Sequence, residues 1–510
     1  VPMPEPQTEP NRVQDAPAGQ ERVQDAESEQ ERPVPTPGRR LARVASGRGW
    51  TVLLGVAAVV LALLGVATFA PGFMSNDTLY QLRQARGVDP LTDWHPPVMS
   101  LLWRLLISLT GTYASMAVVQ QLVVWAALFG IAAVVHRATG SRGWSLAFLA
   151  IGLAPHVVTF SGVVWKDVQM AQAMLAATAV VMLGMVWRRP PAWARWVLVP
   201  LAVLLLAYAL LVRKNAVVAM LPMLYLLYRA WFPVRSRRAL AAVVVGFVAV
   251  SVVASGLITV LAKPQGTAQL SAIAIDDVIH VVPRRAIESS DLPPRLKDKL
   301  VAAQANCLKR NSLMNNYWTC YGRGEHGAFT PIADHAELTA AWPRLMLERP
   351  VGYLQYRTQV YTQFLFDNRD LWQEGVLANN QGITVDNPRL VASLRSYVLD
   401  LGNRNLPWLF GAWFWLVVAA VQSTRWRASR RSTFGVLVPC LGLSSLLYIA
   451  AYFPTAPATD FRYVYWPAVA GTLGLLVMAL DRFGPRRSAH GAGDEVLPAV
   501  HHPVDGEARG

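Results

Sequence analysis

Charge is what this sequence has least of. Only 15% of its 510 residues are Asp, Glu, Lys or Arg, where a soluble chain carries about a quarter, so lipid rather than water is the expected solvent. Metal-binding patterns are missing too. There is no His-x-x-x-His pair, no set of four cysteines and no Asp-x-Asp in the first polar loop. No metal site is therefore assigned, and any need for a divalent ion stays open. A glycine-rich phosphate loop is also lacking, which disfavours ATP-driven chemistry unless a partner subunit supplies it. Cysteines number three. Cys440 lies in an apolar block and reads as packing. Cys307 and Cys320 fall in the one long polar segment and are either a disulfide, worth roughly 3 kcal/mol in the chain-entropy model, or two free thiols.

What is abundant is long apolar runs. Thr51–Ala70 carries no charge and matches the ~20 residues that cross a ~30 Å hydrocarbon core. Nine more such blocks follow: Tyr113–Val135, Ser145–Val164, Val168–Trp187, Trp196–Val212, Ala216–Phe232, Ala239–Ala262, Leu406–Gln422, Thr433–Tyr452 and Tyr463–Leu480. These predict an all-α polytopic membrane protein of about ten transmembrane helices. A secretory signal peptide is not expected, because the first run starts near residue 50, is too long and lacks a clear cleavage site.

The formal charge of +15 is a topology signal, not a nucleic-acid patch. Its arginines cluster between apolar blocks, as cytoplasmic loops require: Arg137 and Arg142; Arg188, Arg189 and Arg195; Arg235, Arg237 and Arg238; Arg425, Arg427, Arg430 and Arg431. One orientation places all of these arginine-rich loops inside and puts both termini in the cytoplasm. The expected organisation is a disordered tail over 1–48, with a near-repeat from Arg12 and Arg22, and a seven-span module over 49–262 with its first outer loop at 71–112. An extracytoplasmic loop domain over 263–405 separates the seventh and eighth spans. Three spans over 406–480 and a second tail over 481–510 complete it. In the first loop, Pro96 to Leu109 is short for a span and contains Arg104, which suggests a helix lying in the interface. Within 263–405, Ala336–Phe366 reads as helical, and the adjacent pair Asp276 and Asp277 reads as a solvated face.

Charged groups near membrane depth are costly and so are functional candidates. Four clusters qualify, all on the outer side. Asn76 and Asp77 follow the first span, and His95 closes the same loop before Pro96 and Pro97. Asp77 is either a general base on an acceptor hydroxyl or a helix cap, and His95 is either catalytic or structural. Lys166 and Asp167 occupy a tight outer turn, where they bind a ligand or merely pair with each other. Arg213 and Lys214 sit on the wrong side for the positive-inside rule, which points to an anion or to snorkelling toward headgroups. Arg462 and Tyr463 enter the last span as a further phosphate candidate and an aromatic partner, or as part of the aromatic belt. His156 beside Pro155 reads as a kink with a satisfied imidazole.

Taken together, these motifs resemble the GT-C superfamily of membrane glycosyltransferases, in the branch of protein O-mannosyltransferases and aminoarabinose transferases. The resemblance rests on Asp77 after the first span, the Pro96–Pro97 helix start after His95, Lys166–Asp167, Arg213–Lys214 and Arg462–Tyr463. It covers about residues 50–235 and, loosely, the last spans. It implies a polyprenyl-phosphate-sugar donor and a lipid, glycan or protein acceptor hydroxyl, with transfer by inversion in a bacterial plasma membrane. It also implies roles. Asp77 would be the base, with Asp167 beside it. Lys166, Arg213, Lys214 and Arg462 would hold the donor phosphate, and Asn76, His95 and Tyr463 would position substrate. Relatives often carry two acidic residues where this chain has Asn76 and Asp77. The competing readings are a transporter or flippase for a lipid-linked or anionic substrate, and an assembly scaffold. No internal repeat favours the first, and the second leaves the polar turns without a purpose.

Overall fold

Apolar runs without strand alternation satisfy their backbone groups internally only as helices, and helices are what form. A computed structural model of the chain describes residues 37–187, 190–232, 236–322, 336–367, 370–427 and 432–485. Most of both expected tails, including the near-repeat, lies outside them. The chain divides after Gly49 into two units. In the first, the described residues 37–49 are helical; everything below concerns the second.

The helices are α1 (Pro37–Phe69), α2 (Asn76–Ala85), α3 (Pro97–Thr110), α4 (Ser115–Thr139), α5 (Arg142–Leu149), α6 (Pro155–Ser161), α7 (Lys166–Val186), α8 (Ala192–Val212), α9 (Val217–Trp231) and α10 (Arg237–Leu257). After these come α11 (Ser271–Val281), α12 (Arg284–Glu288), α13 (Pro294–Lys309), α14 (Ala336–Leu347), α15 (Pro350–Phe366), α16 (Pro388–Arg395), α17 (Ala412–Ser423), α18 (Leu437–Ala450) and α19 (Tyr465–Phe483). Among the described residues, β-structure is limited to isolated bridges.

Six of the expected spans are long and apolar enough to cross a bilayer: Gly47–Phe69, α4, α7, α8, Arg237–Ala262 and Phe461–Phe483. A seventh, α5 with α6, bends by 53° where Pro155 restarts the helix at its first position. The other three, α9, α17 and α18, have 15, 12 and 14 residues. At 1.5 Å per residue each is shorter than the ~30 Å core. α7 is central, packed on α4, α8, α9 and α19, whereas the Arg237–Ala262 span leaves Val245, Val252 and Leu261 exposed. Such apolar surface is a cost in water and none in lipid.

In the first outer loop, α3 spans about 21 Å at the helical rise, too short to cross. Arg104 is accounted for by α2: its guanidinium donates to the carbonyls of Gln84 and Ala85 at 2.7 and 3.1 Å, where the end of that helix has free acceptors. Within the segment 263–405, α11, α13 and α14 share a separate apolar core that includes Ile275, Val278, Leu300 and Leu338, whereas Tyr356, Phe364 and Val398 join the core of the bundle. Cys307 and Cys320 are joined there by a disulfide, Cα atoms 5.0 Å apart, and Cys440 is a buried free thiol. Residues 336–366 form two helices rather than one, because Pro350 opens α15.

Asp276 and Asp277 correct an expectation. They are not a solvated face. Asp277 is fully buried against Arg357, with 2.7 Å between carboxylate and guanidinium, and accepts from Trp342 Nε1 at 2.8 Å. Asp276 accepts from the Tyr321 hydroxyl at 2.9 Å. Adjacent residues on α11 present both carboxylates inward because partners from α14, α15 and the 317–321 turn wait there, which spacing alone does not reveal. Arg357 also donates to Ala456 O at 3.5 Å, tying this domain to the loop before the last span.

Candidate active site

The end of the bundle where α2 meets α7 is assembled by backbone first. After α1 the chain turns at Gly72, whose φ of 115° favours glycine and where a Cβ would meet Val164 at 2.8 Å. Phe73 then bonds across to Gly162 O and Val164 N at 3.1 and 3.0 Å. Thr78 donates to Val164 O at 2.9 Å and Trp165 Nε1 to Ser75 Oγ at 2.8 Å. These bonds lash the start of α2 to the start of α7, which brings Asp77 to Lys166 and Asp167. Ser75, not Asp77, is the residue before α2. Asp77 lies in the first turn, where the helix end favours a carboxylate, and its side chain points to another partner.

That partner is Arg462, whose Nη1 stands 3.4 Å from Asp77 Oδ2 and whose Nε stands 2.8 Å from Asp460. Its guanidinium also covers Trp165, 4.7 Å from the ring centre. Arg213, leaving α8 in extended conformation, pairs with the buried Asp167 at 3.0 Å and donates to Tyr452 OH at 2.8 Å. Tyr452 in turn bonds Tyr448 at 3.2 Å. Lys166 makes no ion pair or hydrogen bond among the described residues, and the Asp167 Oδ2 and His95 Nδ1 atoms are buried without a hydrogen-bond partner. The result is a cage of cations and carboxylates with three polar groups left waiting.

Electrostatics set the protonation states. Burial alone would push the Asp77 carboxyl up, but His95, Arg462 and Lys166 outweigh it and hold it at about 2. His95 is pushed down to about 4, by burial first and then by Lys166. His95 is therefore neutral above that pH, where the two cations alone keep Asp77 ionised. The Asp77 side chain stays 40% exposed, so a substrate can reach it. Asp460 is pushed up to about 7 by burial, against the pull of Arg462, with a hydrogen bond and charge from Asp370 adding to the rise.

The cage thus gathers Asp77, His95, Lys166, Asp167, Arg213, Arg462 and Tyr463. Two candidates stand apart. Lys214 is exposed, donates to Gln269 at 3.2 Å, and lines a separate pocket of about 260 Å³ with Asp93 and Pro97. Asn76 is exposed and faces an outer groove. His156 bonds Thr472 at 2.8 Å beside the bend, away from the cage. Sequence reasoning gave no role to Trp165, Tyr448, Tyr452, Asp370 or Asp460. The i, i+4 pair Tyr448 and Tyr452 inside an apolar block was the available signal. Among the described residues, no group of three or more His, Cys, Asp or Glu is placed to hold a metal. Its two arginines face carboxylates, and among the described residues Lys166 pairs with none.

No family model matches the chain, and no curated protein matches it. Among solved structures it is similar to ArnT from Cupriavidus metallidurans bound to undecaprenyl phosphate, at a TM-score of 0.32 and 14% identity, covering 85% of this chain and 77% of that one.

Proposed function

We propose that the chain is an inverting membrane glycosyltransferase of GT-C type that uses a polyprenyl-phosphate-linked sugar. The observation that carries this reading is the cage itself. One accessible carboxylate, Asp77, shares an ion-paired cluster with cations from three other stretches of chain, and one of those cations, Lys166, has no partner among the described residues. Lys166, Arg213 and Arg462 hold the donor phosphate. The acceptor oxygen attacks the anomeric carbon as the bond from that carbon to the phosphate oxygen breaks. The electron pair leaves on the phosphate, where the cations stabilise it, and the acceptor proton passes to Asp77. Because Asp77 is a weak base, it takes the proton late, once the acceptor oxygen has become electron-poor. Asp167 and His95 offer their unpartnered atoms to sugar hydroxyls, and Tyr463 orients the arginines. We place the site on the outer face of a bacterial plasma membrane, with both termini inside.

The test uses purified protein in lipid nanodiscs with radiolabelled polyprenyl-phosphate sugars and a panel of hydroxyl acceptors. Asp77→Asn should lose transfer by roughly 10²–10⁴-fold while remaining folded and binding the donor. Normal transfer by that variant would remove Asp77 as base. Movement of labelled donor across vesicle membranes by wild type, without any transfer, would replace the enzyme with a transporter.

A further inference from the structure

Beside the cage lies a second site, lined by none of the cage's charged residues. It is an open groove of about 510 Å³, within the ~300–1,000 Å³ of small-ligand pockets. One wall is the α2 face formed by Asn76, Tyr80 and Arg83, which recur at i, i+4 and i+7. The other wall is the turn containing Asn380 and Gln381. That turn is preformed. The side chain of Asn379 donates to Leu377 O and Ile383 O at 2.8 and 2.9 Å and accepts from the backbone of Gln381 and Ile383 at 2.9 and 3.2 Å. Gly382, at φ 68°, completes it. Leu377 N in turn bonds Met74 O at 3.0 Å, which fixes the turn to the loop that carries Asp77.

The chemistry of the lining selects a ligand. Arg83 and Asp89 cancel each other through two 2.8 Å bonds, and Arg86, outside the lining, donates to Gln381 Oε1 at 3.4 Å, so the described lining itself holds no unpaired cation or carboxylate. What it offers is amides. Asn76 and Asn380 make no side-chain hydrogen bond among the described residues, nor does the Tyr80 hydroxyl. A side-chain amide donates and accepts at once, which matches a hydroxyl, and Tyr80 adds a ring face for the C–H side of a sugar. The groove also leads to the cage: Asn76 precedes Asp77, Tyr80 is one turn beyond it, and the Tyr80 ring lies 5.6 Å from that of His95.

We infer that this groove binds a neutral glycan and presents one of its hydroxyls to Asp77 as acceptor. The acceptor role rests on the transferase reading; the ligand class does not. The test therefore measures binding without donor. Full-length protein in nanodiscs is titrated with neutral hexose and pentose trisaccharides by saturation-transfer NMR, and separately with a fluorescent polyprenyl phosphate. At least one trisaccharide should bind wild type and bind Asn380→Ala at least fivefold more weakly, with polyprenyl-phosphate affinity unchanged. Asn380 is exposed and unpartnered, so its loss leaves the fold intact; Gln381→Ala gives a second reading. Absence of trisaccharide binding, or binding indifferent to both variants, overturns the inference. So does transfer to a peptide or an anionic lipid that Asn380→Ala impairs. Trisaccharide binding that depends on Asn380 in a protein without transferase activity supports the groove's ligand class and counts against the transferase alone.

Discussion

Tyr463 lies between Arg213 and Arg462, its ring centre 5.2 Å from each guanidinium carbon. Two like charges are thus held near one π system, which attracts both and offsets part of their mutual repulsion. Tyr463→Leu should weaken donor binding roughly 5–30-fold, corresponding to about 1–2 kcal/mol of lost cation–π attraction. Tyr463→Phe keeps the ring and should stay near wild type. Equal losses in the two variants, read as donor affinity, would show that the hydroxyl and not the ring matters.

Donor affinity should depend on pH through Asp460. Below its value of about 7 the group is protonated, and Arg462 keeps its charge for the phosphate. Above it, Asp460 ionises and competes. Binding of a polyprenyl-phosphate sugar should therefore weaken from pH 6 to pH 8. His95 and Asp77, near 4 and 2, do not change charge in that window. Asp460→Asn should make the profile shallower around pH 7. A flat profile in wild type would exclude Asp460 as its source.

Arg357 and Asp277 are buried to 1% and 0% exposure, and removing one leaves the other stranded. Arg357→Met should destabilise the outer domain by roughly 3–5 kcal/mol. Burial already raises the Asp277 carboxyl against the pull of Arg357, and without that arginine it rises further. A carboxyl raised in the fold costs stability as pH climbs through its folded value, so the variant's deficit should be larger at pH 8 than at pH 5. The double variant with Asp277→Leu should recover much of the loss. Thermal unfolding at both pH values decides.

Without reductant, peptide mass analysis should find Cys307 joined to Cys320. Cys307→Ser should cost the outer domain roughly 3 kcal/mol in the chain-entropy model, without altering donor affinity. An unchanged melting curve would show that the bridge adds nothing to the surrounding core.

The bundle was legible because lipid imposes a plain rule: apolar blocks of fixed length, with arginines between them. The cage was legible in outline for the same reason, since Asp77, Lys166, Arg213 and Arg462 each stand out against an apolar neighbour. Pairing was not legible. Adjacent Lys166 and Asp167 could have satisfied each other, yet Asp167 reaches Arg213 and leaves the lysine unpaired. Only folding brings those turns together. The outer domain was the least readable. Asp277 and Trp342 are 65 positions apart, and a buried carboxylate pair there looks like any polar surface in one dimension. The stretch from Asp370 to Asp386 has no periodicity, yet it runs over the first loop and walls the groove.

Asp77 and Arg462 are separated by 385 positions, and contacts so distant along a chain form slowly. While the protein is still being inserted, its first loop therefore holds an acid with no counter-charge from the last helix. A chain arrested before Arg462 lacks this ion pair altogether. Completion of the cage is in this way postponed until the segment carrying Asp460 and Arg462 arrives.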